Sequence, residues 1–117
     1  MSGDWTDVCD YDELLPERGV AALVAGRQVA VFRTFDGMLH ALDNRDPYSG
    51  AYVLARGIVG TRGDAPTVAS PIFKQTFDLR TGACLTDPAV QVPTHAVRRV
   101  DGVVQVLVER SGGPSDD

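Results

Sequence analysis

Short apolar runs broken by turn residues dominate the chain. In "GVAALVAGRQVAVFRTFDGMLHAL" the pattern predicts a three-strand meander. Val20 to Ala25 forms the first strand and Gly26 breaks it. Gln28 to Phe35 follows, rich in Val and Phe. Asp36-Gly37 is a hairpin turn, and Met38 to Leu42 returns. Near the other end, "THAVRRVDGVVQVLVE" repeats the pattern, with Thr94 to Val100 and Val103 to Val108 flanking Asp101-Gly102. Both residue sets of that last strand are largely apolar, which predicts cover on both faces. At the front, "WTDVCDYDELLPERG" predicts a short edge strand over Trp5 to Cys9. One helical turn follows, capped by Asp10 or Asp12 and ended by Pro16.

The middle differs. From Asn44 to Val68 the chain carries Gly50, Gly57, Gly60 and Gly63 with Pro47 and Pro66. It is too Gly-rich for a buried sheet. Its Tyr52, Val53, Leu54, Ile58 and Val59 make it too apolar for a disordered linker. An ordered layer of loops and short strands is the expectation, and such loops on a β scaffold tend to be functional. The expected fold is therefore all-β: an antiparallel β-sandwich or barrel with an inserted loop-rich layer. Residues 5–109 are expected to form one domain. A flexible N-terminus (1–4) and a disordered acidic tail (110–117, ending "SGGPSDD") flank it.

Composition narrows the function. The 117 residues contain no apolar run of the roughly 18 residues that span a membrane. The N-terminus has neither the basic nor the apolar region of an export signal, so the cytoplasm is expected. The net charge is −5, and much of it sits in the first twenty residues, six acids against Arg18. An acidic chain does not suit nucleic acid, whose phosphates need a basic surface. The acidic front is most simply a solvated end. Cys9 and Cys84 are expected as free thiols in a reducing compartment.

Candidate chemistry is sparse. Cys9, His40, Cys84 and His95 could make a Cys2His2 metal set by count alone. They lie on separate strands with no metal-type spacing between any two. Ser70 precedes Pro71 and sits in no G-x-S-x-G elbow. "GIVGTRGD" lacks the GK[ST] end of a phosphate-binding loop. What stands out is a pair of loops, "ALDNRDPYSGA" and "SPIFKQTFDLRTG", each with Pro one residue after a polar residue.

On these loops the chain resembles the Rieske-type ferredoxin family. There a first loop reads C-P-H-x-G and a second C-P-x-H-G before a strand like "FDLRTG". Two Cys and two His hold a [2Fe–2S] cluster. The resemblance puts Asp46 and Ser70 at the Cys positions and Tyr48 and Phe73 at the His positions. Pro47, Gly50 and Pro71 are kept, and Lys74 stands for the last glycine. Hard oxygen donors and a phenyl ring match a sulfur-bridged iron cluster poorly. The resemblance thus implies a frame with no metal bound, held by other means. Asp46 and Ser70 are expected to bond across the loops, and Tyr48 and Phe73 to pack in the vacated space.

Longer runs extend the resemblance over about residues 5–108. "GRQVAVFR", "ALDNRDPYSGAYVLARGIVG" and "VASPIFKQTFDLRTGACLTDPAVQVPTHAVRRVDG" resemble the family of small subunits of assimilatory NAD(P)H-dependent nitrite reductases. That resemblance implies a non-catalytic subunit with no cofactor of its own. Its partner would be the large subunit, which carries FAD, sirohaem and [4Fe–4S] and reduces nitrite to ammonia. Tyr48, Tyr52, Phe73 and Lys74 are the candidate partner contacts. Two other readings stay open: an iron-binding electron carrier, and a stand-alone β-domain acting as an interaction module.

Overall fold

A computed structural model describes residues 5–108. The expected segments at 1–4 and 110–117 lie outside it. The strands, in chain order, are β1 (Thr6–Asp10), β2 (Arg18–Val24), β3 (Arg27–Arg33), β4 (Leu39–Asp43), β5 (Ile58–Arg62), β6 (Ala65–Ala69), β7 (Thr76–Asp78), β8 (Ala83–Cys84), β9 (Asp87–Gln91), β10 (Thr94–Val100) and β11 (Val103–Leu107). One-turn 3-10 helices cover Tyr11–Glu13 and Leu54–Arg56. The first follows Asp10 as expected, but no side chain caps it.

Two sheets result. Six strands run in the order β1-β11-β10-β4-β3-β2, and five in the order β5-β6-β7-β8-β9. All named pairings are antiparallel. The expected meander is β2-β3-β4, with both Asp-Gly turns in place. The middle region is ordered, and it is organised as part of a second sheet of short strands. Its glycines explain how. Gly63 turns the β5–β6 hairpin at φ +65°, and a Cβ on Gly57 would lie 2.5 Å from the Ala69 carbonyl oxygen. They allow tight turns and close approach at the margins of a sheet.

The strand β3 divides the interior. Ala30 and Phe32 point into a core shared with the second sheet, together with Leu54, Val68, Phe77, Leu79 and Val92. Val29 and Val31 point into a second core with Leu14, Val24, Val104 and Val106. Period-2 alternation along one strand therefore serves two cores, and all four residues are buried. On β11, by contrast, the expected two-sided cover is incomplete: Val104 and Val106 are buried, whereas Val103, Gln105 and Leu107 are half-buried. The N-terminal turn is fastened by Tyr11. Its hydroxyl donates to the Gly37 carbonyl at 2.7 Å, and its ring takes the Arg33 and Arg99 guanidiniums at 4.2 and 4.0 Å.

Phe32 is among the largest fully buried side chains. Phe32→Ala is expected to cost about 3–5 kcal/mol. Denaturant unfolding should show a lower midpoint at unchanged slope.

Candidate functional site

The two loops end strands of different sheets. Asn44 follows β4 and Ser70 follows β6. Asn44 anchors the first loop: its side-chain carbonyl accepts from Ala55 N at 2.7 Å, and its side-chain amide donates to the Tyr52 carbonyl at 3.2 Å.

The loops share one backbone design. In the first, Gly50 N donates to the Asp46 carbonyl at 2.7 Å and Asp46 N to the Ala51 carbonyl at 2.8 Å. In the second, Lys74 N donates to the Ser70 carbonyl at 3.0 Å and Ser70 N to the Gln75 carbonyl at 2.8 Å. Each loop's first side chain accepts from the amide two residues on: Tyr48 N to Asp46 Oδ1 at 2.9 Å, Ile72 N to Ser70 Oγ at 3.3 Å. Each fifth residue is left-handed, Gly50 at φ +78° and Lys74 at φ +63°. Pro at the second position suits both, because it has no N–H to satisfy there.

The two first residues meet. Ser70 Oγ donates to Asp46 Oδ2 at 2.5 Å, and both residues are 0% exposed. The hydrogen bond expected across the loops is thus present. Burial pushes the Asp46 carboxyl up, but the Ser70 hydroxyl and donors from Tyr48 and Ser49 outweigh it, so its pKa lies below the ordinary carboxylate value. The buried charge is accommodated by hydrogen bonds to both oxygens.

The aromatic pair does not form as expected. Phe73 is 56% exposed and packs into no vacated space. A second loop of this shape turns its fourth side chain outward at the tip, so truncating its ring leaves no internal cavity. Tyr48 instead has Phe77 as its aromatic neighbour, at 6.4 Å between centroids. Its hydroxyl lies 3.5 Å from Cys84 Sγ and 3.4 Å from Asp87 Oδ2. The bond to Cys84, with burial next, holds the Tyr48 phenol above its usual pKa. Burial would raise the Cys84 thiol, yet hydrogen bonds from Thr86 and Tyr48 bring it below its usual value. Tyr52 is bridged to Arg45 at the other end of the first loop and is half exposed. It lines a cleft of about 520 Å³ with Leu23, Arg27, Arg45 and Pro93.

Unlike the Asp46–Ser70 bond, two other long-range contacts carry no motif signal. Cys84 is brought under Tyr48 only by the pairing of β7 with β8. Likewise Asp43 Oδ1 accepts from Arg27 Nε at 2.8 Å and lies 2.7 Å from His95 Nε2. His95 faces Ala41 of β4. His40 has no partner for its Nε2, and burial lowers its pKa. Both cysteines are free, and among the described residues no three metal-type side chains converge.

A model of the Rieske-like [2Fe-2S] domain matches residues 4–107. The chain belongs to this Rieske-like family. It is 41% identical over 103 residues to the NADH nitrite reductase small subunit of Escherichia coli K12, covering 87% of this chain and 95% of that one. A crystal structure ascribed to the NADH-dependent nitrite reductase small subunit of Mycobacterium tuberculosis superposes with a TM-score of 0.88 at 51% identity, covering 91% of this chain and 96% of that one. A third relative is the nitrite reductase [NAD(P)H] large subunit of Klebsiella oxytoca. It is 43% identical over 81 residues, 69% of this chain but 8% of that one.

The Rieske-like fold thus brings together a donor set that does not fit the cluster in the family's name. At the positions that the loop resemblance matches to ligands stand a carboxylate and a hydroxyl bonded to each other, a phenol engaged with Cys84 and Asp87, and a solvent-facing phenyl ring. None is the thiolate or imidazole that holds such a cluster.

Two substitutions separate the roles. Ser70→Ala leaves the buried Asp46 oxygen short of a donor and is expected to cost about 1–3 kcal/mol. Phe73→Ala should stay within about 0.5 kcal/mol. Thermal or denaturant melts of both variants check this contrast. Lys74→Gly is expected to stabilise by about 1 kcal/mol, since a left-handed Lys is strained. A loss of stability in the same assay would contradict it.

Proposed function

We propose that this chain is the small subunit of an assimilatory NAD(P)H-dependent nitrite reductase, a non-catalytic partner that binds no [2Fe–2S] cluster. Residues 5–109 act as one domain. The partner is the large subunit, on which FAD, sirohaem and [4Fe–4S] carry out the reduction of nitrite to ammonia. The small subunit supports that subunit's assembly or activity in the cytoplasm, without contact to nucleic acid or membrane.

The observation that carries this reading is the closure of the loop frame on itself. Two of the side chains at the matched positions, Asp46 and Ser70, are bonded to each other in the interior and would have to release one another to take iron. A domain with that frame has no visible way to store an electron, so its value to a redox enzyme must lie in contact. The Klebsiella oxytoca relative supports the choice of partner. There a segment like this chain is part of the large-subunit polypeptide itself. A domain found both apart from and within one catalytic chain is expected to pack against that chain.

The contact surface follows from the loops. Phe73 and Ile72 stand out at the tip of the second loop with Lys74 beside them, and Tyr48 is partly exposed on the first. Tyr52 lies farther round, on the cleft wall. Exposed aromatics on a hydrogen-bonded, rigid base are favourable for a protein contact, because little entropy is lost when they dock.

The purified chain is expected to be colourless, with no stoichiometric iron by elemental analysis. Co-expressed with its large subunit, it should co-elute from a sizing column. A chain that carries iron and shows charge-transfer absorption overturns the cluster-free reading, and failure to co-elute overturns the assignment of partner.

A further inference from the structure

Each sheet has two edges, and two of the four are obstructed along their length. On β1 the register shifts between Asp7 and Cys9, which kinks the edge, and Asp7 and Asp10 are exposed along it. On β9, Pro88 removes an N–H and the pairing is irregular. On β2 the 3-10 helix at Leu54–Arg56 covers only the start, where the Cβ position of Gly19 is 2.7 Å from the Ala55 carbonyl oxygen; among the described residues the outer side of Ala21–Val24 makes no backbone hydrogen bond. The fourth edge, β5, is open along its whole length. Ile58 to Arg62 pairs with β6 at every residue, without bulge or proline, and its one charged side chain, Arg62, stands at its end. Among the described residues its outer side makes no backbone hydrogen bond. Proteins ordinarily block such an edge with charge, proline or a bulge, because it is a ready template for another strand.

A groove runs along this edge. A cavity of about 480 Å³ lies between Ile58–Val59 and Glu17–Gly19. A second, of about 300 Å³, lies between Gly60–Thr61 and Thr34–Asp36. Glu17 borders both, and its carboxylate accepts from Phe35 N at 2.9 Å, which fastens the far wall. Two of the most exposed large apolar side chains border the groove, Phe35 at 76% and Ile58 at 66%. Its charge is polarised. Arg18 and Arg56 border the Ile58 part, and Asp36 and Asp64 the Gly63 part.

We propose that β5 is a strand-addition site for an extended segment of the large redox subunit, a deeper form of the functional reading above and dependent on it. Backbone pairing with β5 supplies the affinity, and Ile58 and Phe35 take apolar side chains of the segment. An antiparallel segment would place a basic residue by Asp36 and Asp64 near its start and an acidic residue by Arg18 and Arg56 near its end. The site is also continuous with the proposed tip contact. Ile58 pairs with Ala69, the residue before Ser70.

The test is hydrogen–deuterium exchange on the full chain, alone and in complex with its large subunit. Within residues 58–62, the amides that face away from β6 should slow at least about tenfold in the complex, an expected signature of new backbone pairing. Ile58→Lys and Thr61→Lys place charges on the exposed edge and should each weaken the complex at least about tenfold while leaving the chain's own melting unchanged. A complex that forms with β5 unprotected, or that tolerates both variants, overturns the strand-addition site and leaves the subunit assignment standing. Protection of β5 in the chain alone, with a dimer's mass, overturns it in favour of a second copy. If the unmodified chain forms no complex with the large subunit, the functional reading and this site fall together.

Discussion

The structure depends on one strand buried on both faces. Across β3, Ala30 and Phe32 serve one core and Val29 and Val31 the other, so the strand is the shared wall of two hydrophobic clusters. The two-sided burial explains why the run "VAVF" has no polar member. It also fixes register. A slip of one residue would exchange the two faces and put Phe32 where Val31 packs. Pairing on either side, with β2 and β4, then positions the β4 exit from which the first loop leaves. The loop frame is thus rigid because the wall beneath it has no freedom to shift.

Above that wall the two loops are built on the same plan and joined at their first residues. Matching backbone bonds, matching side-chain caps and a left-handed fifth residue shape each loop. The Asp46–Ser70 hydrogen bond then ties the two loops together. Lys74 takes the left-handed conformation that Gly50 takes in the first loop. The chain keeps the left-handed conformation although a side chain strains it.

Much of this architecture was legible because the signals are local. Asp36-Gly37 and Asp101-Gly102 mark hairpins through backbone preferences of the residues themselves, and alternation marks the strands between them. The loop motifs were legible for a similar reason: Pro and the flanking polar residue sit within a few positions of each other. The second sheet was harder to read. Strands of two or three residues, such as β7 and β8, are too short for periodicity to register. Phe73 was expected both to fill the vacated space and to stand on a partner-contact surface, and only the direction of the loop tip separates the two: the ring lies open to solvent.

The sequence by itself determined the all-β class, the hairpins, the two loops and the identities of the residues at the ligand positions. These follow from turn chemistry, alternation and donor type, which act over a few residues. Closure of the domain selected the remaining contacts. It formed the Asp46–Ser70 bond that the loop resemblance implied, set Cys84 under Tyr48, turned Phe73 to solvent and left β5 as an open edge. Each of these depends on the relative placement of strands far apart in the chain, and burial and pairing energies fix that placement only when the whole domain has closed.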